Sequence, residues 1–151
     1  MIEYKILRGS NTAYLAPKLN PLGEEGFRVM DVTSWNNDTM EISLVKDDYS
    51  IPTTDYIAKV DSQGYRIEDF INTNLANGYK LDGVSVGGSS YVGAIMHKEY
   101  DPVKEYAIVD TPDGEDLEAL IKAKQEEGFI LEEIKGYGNR YYRIALMKRL
   151  K

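Results

Sequence analysis

The sequence predicts an α+β fold of three tandem strand-helix-strand-strand repeats of about 43 residues, each a small three-stranded sheet with one helix, packed together. The first observation is a spacing that occurs three times without a gap: an acid-Tyr pair, a glycine 22 residues later and a lysine 20 residues after that. The second is a change from helical to strand periodicity within each copy. Repetition of this kind indicates a fold built from one unit. The markers are Tyr4, Gly26 and Lys46, then Tyr56, Gly78 and Lys98, then Tyr106, Gly128 and Lys148.

These markers place repeat 1 at residues 3–46, repeat 2 at 56–98 and repeat 3 at 106–148, with linkers at 47–55 and 99–105. A three-stranded unit of this size buries too little surface to be stable alone. We therefore expect the repeats to pack on one another, in a pseudo-threefold arrangement, or the chains to associate.

Each repeat opens with an aromatic-led strand, YKILR, YIAKV or YAIVD, and continues with apolar residues at helical spacing. Asp113, Glu115, Asp116 and Glu118 favour a helix start in repeat 3. Two prolines, Pro17 and Pro21, predict that the first helix is short or broken. The helical positions are Leu15, Leu19 and Leu22, then Ile67, Phe70, Ile71 and Leu75, then Leu117, Leu120 and Ile121.

The repeated glycine predicts a left-handed helix cap, and the aromatic after it (Phe27, Tyr79 or Phe129) begins the second strand. Apolar residues three apart in that strand, such as Leu81 and Val84, predict a β-bulge. The third strand lies either between the other two or at an edge. Its apolar alternation aligns Met40, Ile42 and Leu44 with Val92, Ala94 and Met96, and with Tyr142, Ile144 and Leu146.

Composition excludes several classes of protein. The formal net charge is -7, whereas nucleic-acid binding needs a basic surface. No apolar run is long enough for a membrane span, and the start lacks a secretory pattern. The absence of cysteine is typical of a reducing cytosol. Twelve tyrosines suit half-buried sheet surfaces, or rings that stack on a ligand or partner.

No pattern predicts catalysis, a metal site or a cofactor. His97, the single histidine, is interpreted as a structural or surface residue. The hairpin tips VGGSS and GYGNR lack the Walker and dinucleotide motifs, so they are either tight turns or loops whose N–H groups face an anion. The tips vary while the scaffold repeats. We therefore hypothesise a ligand site on them, formed by Trp35, Tyr91, Tyr137, Asn139, Arg140, Tyr141 and Arg143.

The middle repeat, YRIEDFINTNLANGYKLDGVSVGGSSYVGAIMHK, resembles small bacterial and phage domains of unknown function. These open with a Tyr-led strand and a helix, followed by Gly-aromatic, a Gly-rich hairpin and a strand that ends in Lys. The other two repeats resemble them more weakly. A distant similarity extends to phage Thoeris anti-defence proteins, which assemble as oligomers and sequester cyclic nucleotide-type immune signals without cleaving them.

The resemblance implies a phage-type sponge in the bacterial cytoplasm. It would be a non-enzymatic binding protein in which rings stack on a base and a guanidinium pairs with phosphate. The alternative is an acidic, Tyr-rich protein-interaction or scaffold module without a small ligand. The expected partners are a nucleotide-type small molecule and either further copies of the chain or another protein, with no nucleic acid and no membrane.

Overall fold

The computed structural model describes residues 1–111, 116–136 and 142–151, and these form three strand-helix-strand-strand repeats, so the predicted α+β class is confirmed. Repeat 1 contains β1 (Glu3–Gly9), α1 (Thr12–Glu24), β2 (Arg28–Ser34) and β3 (Met40–Lys46). Repeat 2 contains β4 (Ile57–Asp61), α2 (Gly64–Ala76), β5 (Tyr79–Val86) and β6 (Val92–Lys98). Repeat 3 contains β7 (Val103–Asp110), α3 (Leu117–Glu126), β8 (Ile130–Gly136) and β9 (Arg143–Leu150).

Each repeat forms its own sheet, with the third strand in the middle. The strand orders are β1-β3-β2 (sheet A), β4-β6-β5 (sheet B) and β7-β9-β8 (sheet C), and every pairing is antiparallel. The first two strands of a repeat are therefore parallel and separated by the third. This settles the strand order that the sequence left open.

Helix α1 is neither short nor broken, so that expectation was wrong. It has 13 residues, as α2 has, and includes both Pro17 and Pro21. Both prolines lie on its exposed side, where water can bind the carbonyls that lose a helical partner. Leu15 and Leu19 on the opposite side are fully buried, and their packing outweighs the two missing hydrogen bonds.

The repeated glycine, aromatic and basic residue form one structural motif. Gly26, Gly78 and Gly128 have φ of 100°, 87° and 95°, as the predicted left-handed caps require. The basic residue that ends the third strand lies over the ring after the glycine: Lys98 Nζ is 4.9 Å from the Tyr79 ring centroid and donates to the Asn77 carbonyl at 2.9 Å. The cation thus binds a helix-terminal carbonyl and an aromatic face together.

Repeat 3 contains one residue more between its second and third strands than the gap-free alignment allows. Leu131 pairs with Met147, whereas its equivalents Val29 and Leu81 pair with Leu44 and Met96. In keeping with this, Arg149 rather than Lys148 lies over the Phe129 ring, at 4.7 Å.

A shift of one residue moves every side chain of a strand to the other face. The predicted match of Tyr142, Ile144 and Leu146 to the helix-facing residues was therefore wrong: Ala145 and Met147 pack on α3. The sequence concealed the shift because both faces of β9 are apolar.

The three units stack through opposite faces of their sheets. We call the face of a sheet that its own helix covers the inner face, and the other the outer face. The inner face of sheet A and α1 pack on the outer face of sheet B, where Ala58 and Ile95 join Leu15 and Leu19 in one buried cluster. In the same way the inner face of sheet B and α2 pack on the outer face of sheet C, with Ile71 against Ile144 and Leu146.

Polar side chains on α1 and α2 fix these helices to the first strand of the next repeat. Asn20 Oδ1 accepts from the Tyr56 N–H at 2.9 Å. Asn72, its equivalent in α2, accepts from the Tyr106 N–H at 2.8 Å and donates to the Tyr106 carbonyl at 2.9 Å. Because these strands lie at sheet edges, the helix side chains satisfy backbone groups that no neighbouring strand reaches.

Candidate functional site

The predicted tip residues lie partly outside the described residues: Tyr137, Asn139, Arg140 and Tyr141 belong to the segment 137–141. Trp35 is half exposed, and the Arg8 guanidinium lies 3.3 Å from its ring centroid. The Tyr91 carbonyl accepts from the Gly87 N–H at 2.7 Å. Arg143 is exposed at the start of β9. None of these three residues lines the cavity described below.

The glycines of the middle hairpin have a packing role. A Cβ on Gly87 would lie 2.3 Å from the Asn37 carbonyl oxygen and 2.7 Å from that of Asn36. A Cβ on Gly93 would lie 2.6 Å from Met40 Sδ. Only glycine permits this approach of two backbones, because any side chain would occupy the space. The Gly-rich segment therefore brings the tips of repeats 1 and 2 into contact.

A cavity of about 430 Å³ lies between repeats 1 and 2. Ligand sites occupy about 300–1,000 Å³, so its size is within that range. Its wall is formed by β2, the linker after β3, β5 and the end of β6. The lining residues that carry charge or a polar ring are Arg28, Tyr49, Lys80, Asp82, His97 and Glu99.

Among the residues that line this cavity, His97 and Asp82 form a hydrogen-bonded pair. His97 Nδ1 is 2.8 Å from Asp82 Oδ1 and 2.9 Å from Oδ2, and both side chains are largely buried. Burial disfavours the charged imidazole, but the hydrogen bond and charge of Asp82, with a contribution from Glu99, raise the pKa of His97 above its ordinary value. Tyr56 packs beside the imidazole, with ring centroids 5.7 Å apart.

Two ion pairs lie at the more exposed part of the cavity, which we call its mouth. Lys80 Nζ is 3.3 Å from Glu99 Oε2, and Arg28 Nη2 is 3.3 Å from Asp47 Oδ2. Both cations are about half exposed, and such surface pairs contribute only about 0–1 kcal/mol each. An anionic ligand can therefore replace either carboxylate at a small energetic cost.

The cavity contains a serine, a histidine and an aspartate, but they do not form a nucleophilic triad. Ser50 Oγ accepts from the Asp47 N–H at 2.9 Å and donates to Asp47 Oδ1 at 3.2 Å. His97 Nε2 faces Glu99 Oε2 at 3.7 Å, and no hydrogen bond among the described residues joins it to Ser50. Activation of a serine as a nucleophile requires a hydrogen bond to a general base, which His97 does not provide to Ser50 in this geometry.

Sequence reasoning missed His97 and Asp82 as a pair because they are 15 residues apart and meet through a bulge. The predicted bulge is confirmed in all three second strands, and in β5 it lies between Leu81 and Gly83. Asp82 is thereby turned toward His97 across the sheet. Met30 and Val45 occupy the equivalent positions in repeat 1. Glu132 and Lys148 occupy them in repeat 3, where Lys148 Nζ lies 3.2 Å from Glu132 Oε1. The signal that could have found the pair was the expected bulge combined with the register of the hairpin.

Within residues 1–111, 116–136 and 142–151, no group of three or more His, Asp or Glu side chains is close enough to hold a metal ion. Among the same residues, no helix has the length and apolar character to cross a membrane. Comparisons with known proteins gave no match to a family model, to a curated protein or to a solved structure.

Proposed function

We propose that this chain is a non-enzymatic binding protein that captures a small anionic, ring-bearing molecule in the cavity between repeats 1 and 2. The observation that carries the proposal is the 430 Å³ cavity, in whose wall Asp82 is hydrogen-bonded to the imidazole of His97. Titratable groups held in a cleft with altered pKa values are typical of binding and active sites.

The lining chemistry supports an anionic ligand. The raised pKa of His97 favours the cationic imidazole, and Arg28 and Lys80 offer donors at the mouth. Tyr49, which is largely exposed in the linker, supplies a ring that can close over a bound base. A nucleotide-derived signal of the kind that phage sponge proteins sequester has this combination of ring and phosphate. Ser50 is held by Asp47, which favours sequestration over turnover.

The test is a thermal-shift panel with cyclic dinucleotides, cyclic ADP-ribose isomers and ordinary nucleotides. A ligand at 100 times its dissociation constant adds about 2.7 kcal/mol. For this chain length the midpoint of unfolding should rise by roughly 5–10 °C. Any ligand found is then measured by calorimetry on Arg28→Gln and on Arg143→Gln, a matched change at an exposed arginine outside the cavity.

Loss of affinity in Arg28→Gln alone would support the cavity. Loss in Arg143→Gln alone would place the ligand on the hairpin tips instead. A flat panel would contradict the proposal and favour the protein-interaction module. Release of a reaction product from any compound in the panel would contradict the non-enzymatic function.

A further inference from the structure

Equivalent residues of the three repeats differ in burial at the two ends of the stack. Tyr56 and Tyr106 are 2% and 4% exposed because the helix of the preceding repeat covers them, whereas Tyr4 is 63% exposed. Ile6, the equivalent of the buried Ala58, is also 63% exposed. Among the described residues, no helix covers the outer face of sheet A, which we call the leading face, as α1 and α2 cover the other two outer faces.

The opposite end shows the converse difference. Val32 and Val84, on the inner faces of sheets A and B, are 1% and 0% exposed, and Val32 packs against Gly83 of the next sheet. Their equivalent in sheet C, Ile134, is 47% exposed, and Leu131 beside it is 40% exposed. We call the inner face of sheet C together with α3 the trailing face, and in the described part of the chain no further sheet packs on it.

We infer that the trailing face of one copy of this chain packs on the leading face of a second copy, head to tail. Two interfaces within the chain are the template, because each joins an inner face and its helix to the outer face of the following sheet. The two free ends are the remaining halves of a third such interface. Exposed apolar residues lie on both of them: Tyr4, Ile6 and Met30 on one, Leu131 and Ile134 on the other.

The polar contacts of the template have counterparts at the free ends. Glu68 on α2 accepts from the Ile108 N–H at 2.8 Å, and its equivalent on α3 is Glu118. By the same pattern, the Glu118 carboxylate accepts from the Ile6 N–H of the next copy. Lys122 takes the place of Asn72 on α3 and can donate to the Tyr4 carbonyl of that copy. Within one copy both side chains are exposed, and Lys122 Nζ lies 3.5 Å from Glu118 Oε1.

A head-to-tail contact uses two different surfaces, so it generates a closed ring when the rotation between copies closes and a filament when it does not. This property separates it from a symmetric dimer, in which one surface meets itself. A copy with a blocked leading face still has a working trailing face, and the reverse is also true. Two differently blocked variants should therefore pair with each other.

The test uses light scattering after size exclusion on Tyr4→Asp and Ile134→Glu, with Tyr14→Asp as a control of matched exposure, since Tyr14 is 64% exposed on α1. We expect the unmodified chain and the control to form species larger than the 17.1 kDa monomer. Each blocked variant should be monomeric. An equimolar mixture of the two blocked variants should give a species of twice the monomer mass.

A monomeric unmodified chain would overturn the inference, as would assembly that both blocked variants retain. Blocked variants that stay monomeric in the mixture would also overturn it, because a head-to-tail contact leaves each variant with the one working face that the other lacks. Circular dichroism of each variant establishes that it is folded. Both substituted residues lie outside the ligand cavity, so the ligand panel on monomeric Tyr4→Asp reports on binding separately from assembly.

Discussion

Replacement of Ile95 by alanine tests whether the repeats depend on one another for stability. Ile95 lies on the outer face of sheet B, which would face solvent if each repeat were an independent unit. In the structure it is 0% exposed, because α1 of the preceding repeat covers it beside Leu15, Leu19 and Ala58. The substitution therefore removes buried methyl and methylene groups from a contact between two repeats.

The expected cost follows from this burial. Truncation of a fully buried isoleucine to alanine destabilises a protein by about 2–5 kcal/mol, from lost transfer free energy and the cavity left behind. Domains of this size have only about 5–15 kcal/mol in total. The midpoint of thermal unfolding should fall by roughly 4–20 °C, at about 2–4 °C per kcal/mol. Because the buried clusters span the repeats, the variant should still unfold in one transition.

The assay is urea and thermal unfolding followed by circular dichroism, in an Ile134→Glu background, which we expect to be monomeric. Ile6→Ala is the matched control, since it changes the same residue type on the outer face of sheet A, where Ile6 is 63% exposed. The control should stay within about 0.5 kcal/mol of its parent. Equal, small effects of the two substitutions would refute the stacked arrangement, as would separate unfolding transitions for the repeats.

Three further substitutions test other features. The raised pKa of His97 means that its bond to Asp82 stabilises the folded state below an unfolded pKa of about 6.5, as long as Asp82, whose own pKa is raised by burial, stays ionised. This stabilisation is lost as pH rises through the higher folded pKa of His97. Urea unfolding across that window should show this fall in the unmodified chain and its absence in His97→Asn; parallel profiles would contradict it. Gly87→Ala should lower the free energy of unfolding by about 1–3 kcal/mol, because the added Cβ would clash with the Asn37 carbonyl. An unchanged midpoint of thermal unfolding would show that the two tips can separate freely. Lys135 Nζ donates to one backbone carbonyl in repeat 1 and one in repeat 2. Lys135→Met should therefore lower the free energy of unfolding by about 1–3 kcal/mol for each carbonyl left unpaired. An unchanged midpoint of thermal unfolding would argue against this link between the repeats.

The candidate site was less accessible to sequence reasoning than the fold. Patterns within each repeat predicted the bulge that turns Asp82. They did not predict that the cavity residues lie close together, because Arg28 and Tyr49 belong to repeat 1 and its linker, whereas His97 lies near the end of repeat 2. No spacing along the chain encodes a distance between two stacked units. The tip hypothesis for Trp35, Tyr91 and Arg143 stays a prediction.

The sequence by itself determined the local structure of this protein. Helical and alternating periodicities set the elements, and Gly26, Gly78 and Gly128 set the helix ends, because these depend on backbone conformation and on neighbours a few residues away. Tertiary structure alone decided the rest: the central position of each third strand, the continuity of α1 through Pro17 and Pro21, and the one-residue shift of β9. Each of these depends on which face is buried against a distant segment, and packing across repeats outweighs local preference there.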